Sequence, residues 1–385
     1  MTPTWVVELT PPGRAAVAVV LVAGPDALRA VSNCFIPRTP QPVADIPIGR
    51  IALGHWGNET GEELILCRRD VERIEIHCHG GAAAIAAVIG RLIKEGCQTT
   101  TWQDWLQRSS PNRIRAAAHI ALADAVTERT AAILLDQFNG ALESAIRDVI
   151  STTAGGDWSA AANQIDELLK REQLGLHLSQ PWRVVVFGPP NVGKSSLINA
   201  VAGYERAIVS PIPGTTRDVV SITTALDGCP VHLSDTAGLR ETEDELESAG
   251  IALATHALTK ADLAICVHDA THLSPMSAAS PSHVRTIHVV NKVDLFPPDE
   301  RDVLLNHSVT PHGSTDSPLM VSALTGEGIQ DLIPAIISAL VPDCPPAGAP
   351  VPFTIEQVNA LVAARQAIEQ HDSTTAANLL HALLR

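Results

Sequence analysis

Residues 188–195 read Gly188-Pro-Pro-Asn191-Val192-Gly193-Lys194-Ser195, the complete G-x-x-x-x-G-K-S pattern. Glycines at both ends let a backbone fold into a nest of N–H groups around phosphate oxygens, and a helix starting there adds its positive end. Lys194 would reach the β- and γ-phosphates, the Ser195 hydroxyl would sit on Mg²⁺, and Val192, Gly193 and Ser196 complete the phosphate-facing set. Asp235-Thr236-Ala237-Gly238 supplies a carboxylate for the Mg²⁺ water shell and a glycine amide for the γ-phosphate. Asn291-Lys292-Val-Asp294 supplies a carboxylate able to accept from the N1–H and exocyclic amine of guanine together. Adenine lacks that donor pair and would leave a buried Asp294 unpaired, a penalty of roughly 10⁴-fold or more. Ser322-Ala323-Leu324 would bring a backbone amide to the guanine O6. Four such groups in this order specify a guanine nucleotide.

Each group needs a strand to deliver it, and each has one. Arg183–Phe187 precedes the phosphate loop, Val231–Asp235 leads into the second motif, Thr286–Val290 into the third and Leu319–Val321 into the fourth. A helical pattern follows Ser196. This is the layout of an α/β nucleotide domain filling about 181–341. Residues 1–110 mix short strands (Val6–Leu9, Val17–Val22, Ile74–His77) with an alanine-rich helix from Gly80-Gly81 to Ile93, an α+β unit. From 112 to 178 apolar residues take helical spacing, including Leu135, Phe138, Leu142, Ile146 and Val149, with one break at 153–157 before Ile165, Leu168 and Leu169. A Pro-rich linker, 342–350, leads to a final helical stretch at 354–385. Helices on both sides imply a nucleotide domain inserted into a helical domain made of 111–180 and 351–385.

The chain of 385 residues carries 42 acidic against 27 basic side chains, a formal net charge of −15. Residues 181–341 hold 18 acidic and 9 basic groups, which argues against a broad basic nucleic-acid face there. No apolar run approaches the roughly 20 residues of a membrane span, and the start lacks a signal-peptide pattern, so a cytoplasmic protein is expected. Seven scattered cysteines without a C-x-x-C pair read as free thiols. His77-Cys78-His79 lies in a strand, where its side chains alternate faces, and no second Cys/His pair lies nearby in sequence, so it is read as structural rather than metal-binding.

The chain resembles the MnmE (TrmE) family of tRNA modification GTPases. The likeness rests on Gly188–Ser195, Gly214-Thr215-Thr216-Arg217-Asp218, Asp235-Thr-Ala-Gly-Leu-Arg240 and Asn291–Asp294. Thr10-Pro-Pro-Gly-Arg14, His79-Gly-Gly81, Asn139-Gly140 and the inserted arrangement add to it. The resemblance implies a Ras-like P-loop GTPase domain with a mostly parallel sheet, and a homodimer formed through residues 1–110. It implies work on the wobble uridine of tRNA with an MnmG-like flavoprotein partner. Leu239 stands where Ras-type GTPases carry a water-orienting Gln, and the family's replacement falls on Glu247; the bare sequence also reads Glu247 as a solvated helix-start carboxylate. The resemblance further implies K⁺ in place of an arginine finger, held by Asn191 with Ser210, Ile212 and Thr215, and Thr216 as a second Mg²⁺ ligand. Arg217 and Arg240 are read as structural or surface residues.

The likeness is uneven. Leu21 stands where the family has a folate-binding Arg, Cys67–Glu72 replaces a Phe-x-Gly-Glu segment, and Ser110 falls near an expected Lys. The chain stops at Leu383-Leu-Arg385 without the family's Cys-x-Gly-Lys tail. A folate donor of the 5-formyl-tetrahydrofolate type would lose its cationic partners. Two other outputs stay open: a divergent paralogue whose GTP switch has lost folate and tRNA chemistry, and an Era- or Der-like ribosome-assembly GTPase. The last calls for a basic or G-x-x-G RNA-binding module, and none is evident.

Overall fold

The computed structural model describes residues 2–11, 13, 15–58, 60–204, 221–235, 257–272, 284–297 and 317–384. The chain divides into two compact units, residues 1–111 and 112–385.

The first unit is built on a seven-stranded sheet ordered β3-β4-β5-β6-β2-β1-β7. Its strands are β1 (Trp5–Glu8), β2 (Val17–Ala23), β3 (Phe35–Pro37), β4 (Ile51–Trp56), β5 (Glu62–Arg68), β6 (Arg73–His79) and β7 (Gln98–Thr100). Strand alternation explains which residues enter its core. Val20 and Val22 of β2, Leu64 and Leu66 of β5, and Ile74, Ile76 and Cys78 of β6 share one buried cluster. The helices α1 (Ala27–Ser32) and α2 (Ala82–Lys94) cover that face, with Ala30, Val31, Val88 and Leu92 as their contributions. On β2 the alternate residue Leu21 packs with Val7 and Ala23 in a small cluster ringed by Trp5, Trp102 and Trp105. Trp102 and Trp105 belong to α3 (Trp102–Ser109), whose N-cap Thr101 accepts the Asp104 amide.

The second unit begins with five helices: α4 (Arg113–Asp124), α5 (Glu128–Phe138), α6 (Ala141–Ala154), α7 (Trp158–Leu169) and α8 (Glu172–Leu176). The expectation of one unbroken helical phase from Leu135 to Val149 is corrected here. Asn139 caps α5 and Gly140 turns left-handed (φ 104°), which resets the phase. Leu134 is therefore buried, while Leu135 is 48% exposed. Leu142, Ile146 and Val149 keep their expected buried places on α6.

A six-stranded sheet, ordered β13-β12-β11-β8-β10-β9, follows. It comprises β8 (Trp182–Phe187), β9 (Ser221–Leu226), β10 (Cys229–Asp235), β11 (Leu263–Asp269), β12 (Thr286–Asn291) and β13 (Leu319–Met320). All neighbours are parallel except the β9–β10 hairpin. The near-continuous apolar runs of β8 and β11 are those of strands covered on both faces. Helices α9 (Lys194–Tyr204) and α10 (Ile329–Leu340) bury Leu197, Ile198, Val201, Ile333 and Ile336 in the same core.

The chain then returns to the first helices. Buried Gln137 of α5 donates to the Ala349 carbonyl and accepts from the Val351 amide, pinning the end of the Pro-rich segment. Thr354 and Gln357 form a reciprocal capping box that starts α11 (Ile355–Glu369), and α12 (Ser373–Leu384) follows after a left-handed His371. Leu361, Ala364, Leu380 and Leu383 join Ile146 and Ile165 in one core. A second tie runs between α5 and the hairpin tip. Thr127 donates to the Gly228 carbonyl at 2.7 Å, and Arg129 reaches the Asp227 carbonyl and carboxylate and the Cys344 sulfur. Among the described residues no helix is long and apolar enough to cross a membrane, and no disulfide links the seven cysteines.

Candidate functional site

Four parallel strand ends converge at one edge of the six-stranded sheet, where chemistry-bearing loops gather in folds of this kind. After β8 the backbone turns through Gly188 (φ 148°), Asn191 (φ 63°) and Gly193 (φ 93°) before α9 begins at Lys194. Two of these positions admit no side chain. A Cβ on Gly188 would lie 2.3 Å from the Val267 carbonyl oxygen, and one on Gly193 would lie 2.4 Å from the Asn291 side-chain nitrogen.

The Lys194 side chain lies back over the loop, where its ammonium donates to the Gly188 and Pro189 carbonyls at 3.1 and 2.9 Å. Ser195, one residue on, donates its hydroxyl to Asp235 Oδ2 at 2.7 Å. Asp235 ends β10 and is 1% exposed. A hydroxyl beside a buried carboxylate at a phosphate loop is a hard oxygen set, and it fits Mg²⁺.

The base side of the site hangs on Asn291. Only 2% exposed, it donates to the Val192 carbonyl at 2.8 Å and accepts the Ala323 amide at 3.0 Å. One side chain thus joins the phosphate loop to the Ser322–Leu324 loop. Lys292, held left-handed at φ 69°, bridges the Asn191 carbonyl and Asp269 Oδ2 at 2.8 and 2.6 Å. Burial pushes the Asp269 carboxyl up, but hydrogen bonds from Lys292 and Thr271 outweigh it and hold the group below the usual carboxylate range. Asp294 receives the Ser322 hydroxyl at 2.6 Å, and the same oxygen accepts the Thr325 amide. Asp294 itself is half-buried rather than buried, so one face of its carboxylate looks into the cavity.

That cavity measures about 580 Å³ and opens between Gly193, Ser196, Asp294 and Leu324, a volume suited to a small ligand. Leu324 is 86% exposed at its rim. The structure therefore brings together Asn191, Val192, Gly193, Lys194, Ser195, Ser196, Asp235, Asn291, Lys292, Asp294, Ser322, Ala323 and Leu324 at one edge. Ser210, Ile212, Thr215, Thr216, Thr236, Ala237, Gly238 and Glu247 lie outside the described residues. Sequence reasoning missed Asp269, Asn199, Ala200 and Leu295. Asp269 ends a parallel strand in register with Asn291, a signal that strand pairing would have given. Asn199 lies four residues after Ser195 on α9, a helical spacing that could have pointed to the cavity wall.

Residues 183–292 match a family described as 50S ribosome-binding GTPase. The chain is similar to the tRNA modification GTPase MnmE of Roseiflexus sp., with 32% identity over 84% of this chain and 79% of that protein. The MnmE of Thermus thermophilus is 31% identical over 94% of this chain and 87% of its own length. Among solved structures, an Era variant of Aquifex aeolicus bound to GDP and AlF₄⁻ is 27% identical, with a TM-score of 0.34 over 48% of this chain and 66% of that one. With relatives of this identity aligned along most of their length, and with the phosphate loop, Asp235 and the Asn291–Asp294 motif assembled at one sheet edge, the chain belongs to the MnmE family of tRNA modification GTPases.

Proposed function

We propose that the protein binds and hydrolyses GTP and that this cycle serves modification of the wobble uridine, U34, of tRNA. The Asn291 bridge between the phosphate loop and the Ser322–Leu324 loop carries the reading, because it sets the distance between the two ends of a guanine nucleotide. Asp294 accepts from guanine N1–H and the 2-amino group through its two oxygens, one of which also accepts the Ser322 hydroxyl. Lys194 exchanges the neutral Gly188 and Pro189 carbonyl acceptors for anionic β- and γ-phosphate oxygens, which bind an ammonium more strongly. Mg²⁺, when bound by Ser195 and Thr216, offsets negative charge on the phosphates. Asp235 orients the Ser195 hydroxyl, and the Gly238 amide would meet the γ-phosphate.

Family membership supports the further assignments. Leu239 has no hydrogen-bonding group to orient water, so Glu247 takes that role. Asn191, which is exposed, would hold K⁺ together with Ser210, Ile212 and Thr215. The protein pairs with a second copy through residues 1–110 and works with an MnmG-like flavoprotein in the cytoplasm. The domain division is 1–110, 111–180 with 351–385, and 181–341, with 342–350 as linker.

One observation favours a second reading, a GTP switch without folate chemistry. Leu21 is 3% exposed in an apolar cluster with Val7 and Ala23, where a folate carboxylate would find no cation from this residue. Mass spectrometry of tRNA nucleosides from cells lacking the gene separates the two. Loss of 5-substituted wobble uridines is the expected result; an unchanged profile would remove the tRNA step while leaving GTP hydrolysis to stand on its own assay.

A further inference from the structure

Among the described residues, a cluster of metal-ligating side chains lies outside the nucleotide mechanism. Cys266 and His268 lie two residues apart on β11, so they share a face of the sheet. His288 on β12 pairs directly with Cys266 in the parallel ladder. The Cys266 sulfur and one ring nitrogen from each histidine all lie within 4.8 Å of one another. The His268 Nε2 and His288 Nδ1 atoms are 3.2 Å apart. Two nitrogens bonded to one tetrahedral Zn²⁺ at about 2.0–2.1 Å stand roughly 3.3 Å apart, so the imidazoles already span one edge of such a site. A thiolate bond of about 2.3 Å asks for a sulfur–nitrogen separation near 3.6 Å, within reach of a modest rotation of the Cys266 side chain. Cys266 is 7% exposed and both imidazoles are half-buried, so the ligands are partly withdrawn from water on a rigid pair of strands.

We infer that Cys266, His268 and His288 form a second metal site, selective for Zn²⁺ or a similar borderline divalent ion, with its fourth position open to water. The donor set separates it from the nucleotide site, because two imidazoles and a thiolate disfavour Mg²⁺ and favour Zn²⁺. Burial holds both imidazoles below the ordinary histidine range, which keeps them neutral and able to coordinate. Burial also pushes the Cys266 thiol up to about 12, and a bound cation displaces that proton outright. Such a metal would tie β11 to β12 at the rung three residues before Asn291 and Asp269, the strand ends that hold the guanine side of the site.

The test is a Co²⁺ titration of the full chain loaded with Mg²⁺ and GDP, read by absorbance, followed by displacement with Zn²⁺. The inference requires one equivalent of Co²⁺ with a thiolate-to-metal charge-transfer band, lost when Zn²⁺ is added. Cys266→Ala should abolish the band. His288→Gln should lose stoichiometric binding, which supplies a second readout should Cys266→Ala fail to fold. His79→Gln, in the separate His77–His79 tract, should change neither. No charge-transfer band in the unaltered protein would overturn the site, as would a band that survives Cys266→Ala or disappears with His79→Gln.

Discussion

Gly193 and Asn291 test whether the two ends of the nucleotide site are mechanically joined. A methyl group on Gly193 must occupy space 2.4 Å from the Asn291 amide nitrogen, and the backbone there stands at φ 93°. The left-handed backbone costs an alanine about 1–2 kcal/mol. Asn291 is 2% exposed and cannot move aside without releasing the Val192 carbonyl and the Ala323 amide. Two hydrogen bonds at about 0.5–1.5 kcal/mol each bring the total to roughly 2–5 kcal/mol. That corresponds to a GDP affinity weakened from roughly 30-fold to several-thousand-fold. Asn291→Ala alone removes the same two bonds but leaves the loop backbone relaxed, a loss of about 1–3 kcal/mol. The double variant therefore loses those bonds once, not twice, and should bind GDP about as well as Gly193→Ala. Displacement of a fluorescent GDP analogue gives the four affinities, and urea unfolding of each variant separates binding from folding. Losses that add to within about 0.5 kcal/mol would refute the coupling.

Asp294→Asn should cut the preference for GTP over ATP, measured by competition binding, because an amide cannot accept from both guanine donors at once. Glu247→Ala should lower turnover while sparing GTP affinity, and replacing K⁺ by Na⁺ at equal ionic strength should slow the unaltered enzyme; equal phosphate release in the two salts would remove the cation from the mechanism. Gln137→Ala orphans the Ala349 carbonyl and the buried Val351 amide and should destabilise the fold by about 1–3 kcal/mol in urea melts. Burial raises the Asp262 pKa, but hydrogen bonds from His177 and the Arg183 amide outweigh it and leave the carboxyl below its ordinary value. Its contribution is then present above the unfolded carboxylate pKa and is lost as pH falls through the lower folded value. Asp262→Asn should therefore flatten the acid limb of a melting-temperature profile below about pH 4 and change its slope little near neutrality.

The motif loops were legible because each followed an apolar run ended by a polar group of fixed chemistry, and β8, β10, β12 and β13 deliver them in that order. The helical region was less legible. Leu134 and Leu135 are both good apolar candidates, and the left-handed turn at Gly140 decides which one faces inward. The side-chain bridges were not legible at all. Nothing in the sequence says that Asn291 grips Val192, or that Ala323 spends its amide on Asn291, because those contacts depend on the approach of separate loops. The same holds for Cys266 and His288, which are brought together by ladder register rather than by any local spacing.

The grip of α5 on the β9–β10 tip fixes what that hairpin can do. A hairpin tip ordinarily swings most, since nothing restrains it. Here Thr127 and Arg129 clamp residues 227 and 228, so the tip is held at its turn. From there β10 runs seven residues, roughly 20 Å of strand, paired with β8 on one side and β9 on the other. Its far end is Asp235, beside Ser195. The start of α5 and the phosphate loop are thereby the two ends of one continuous strand.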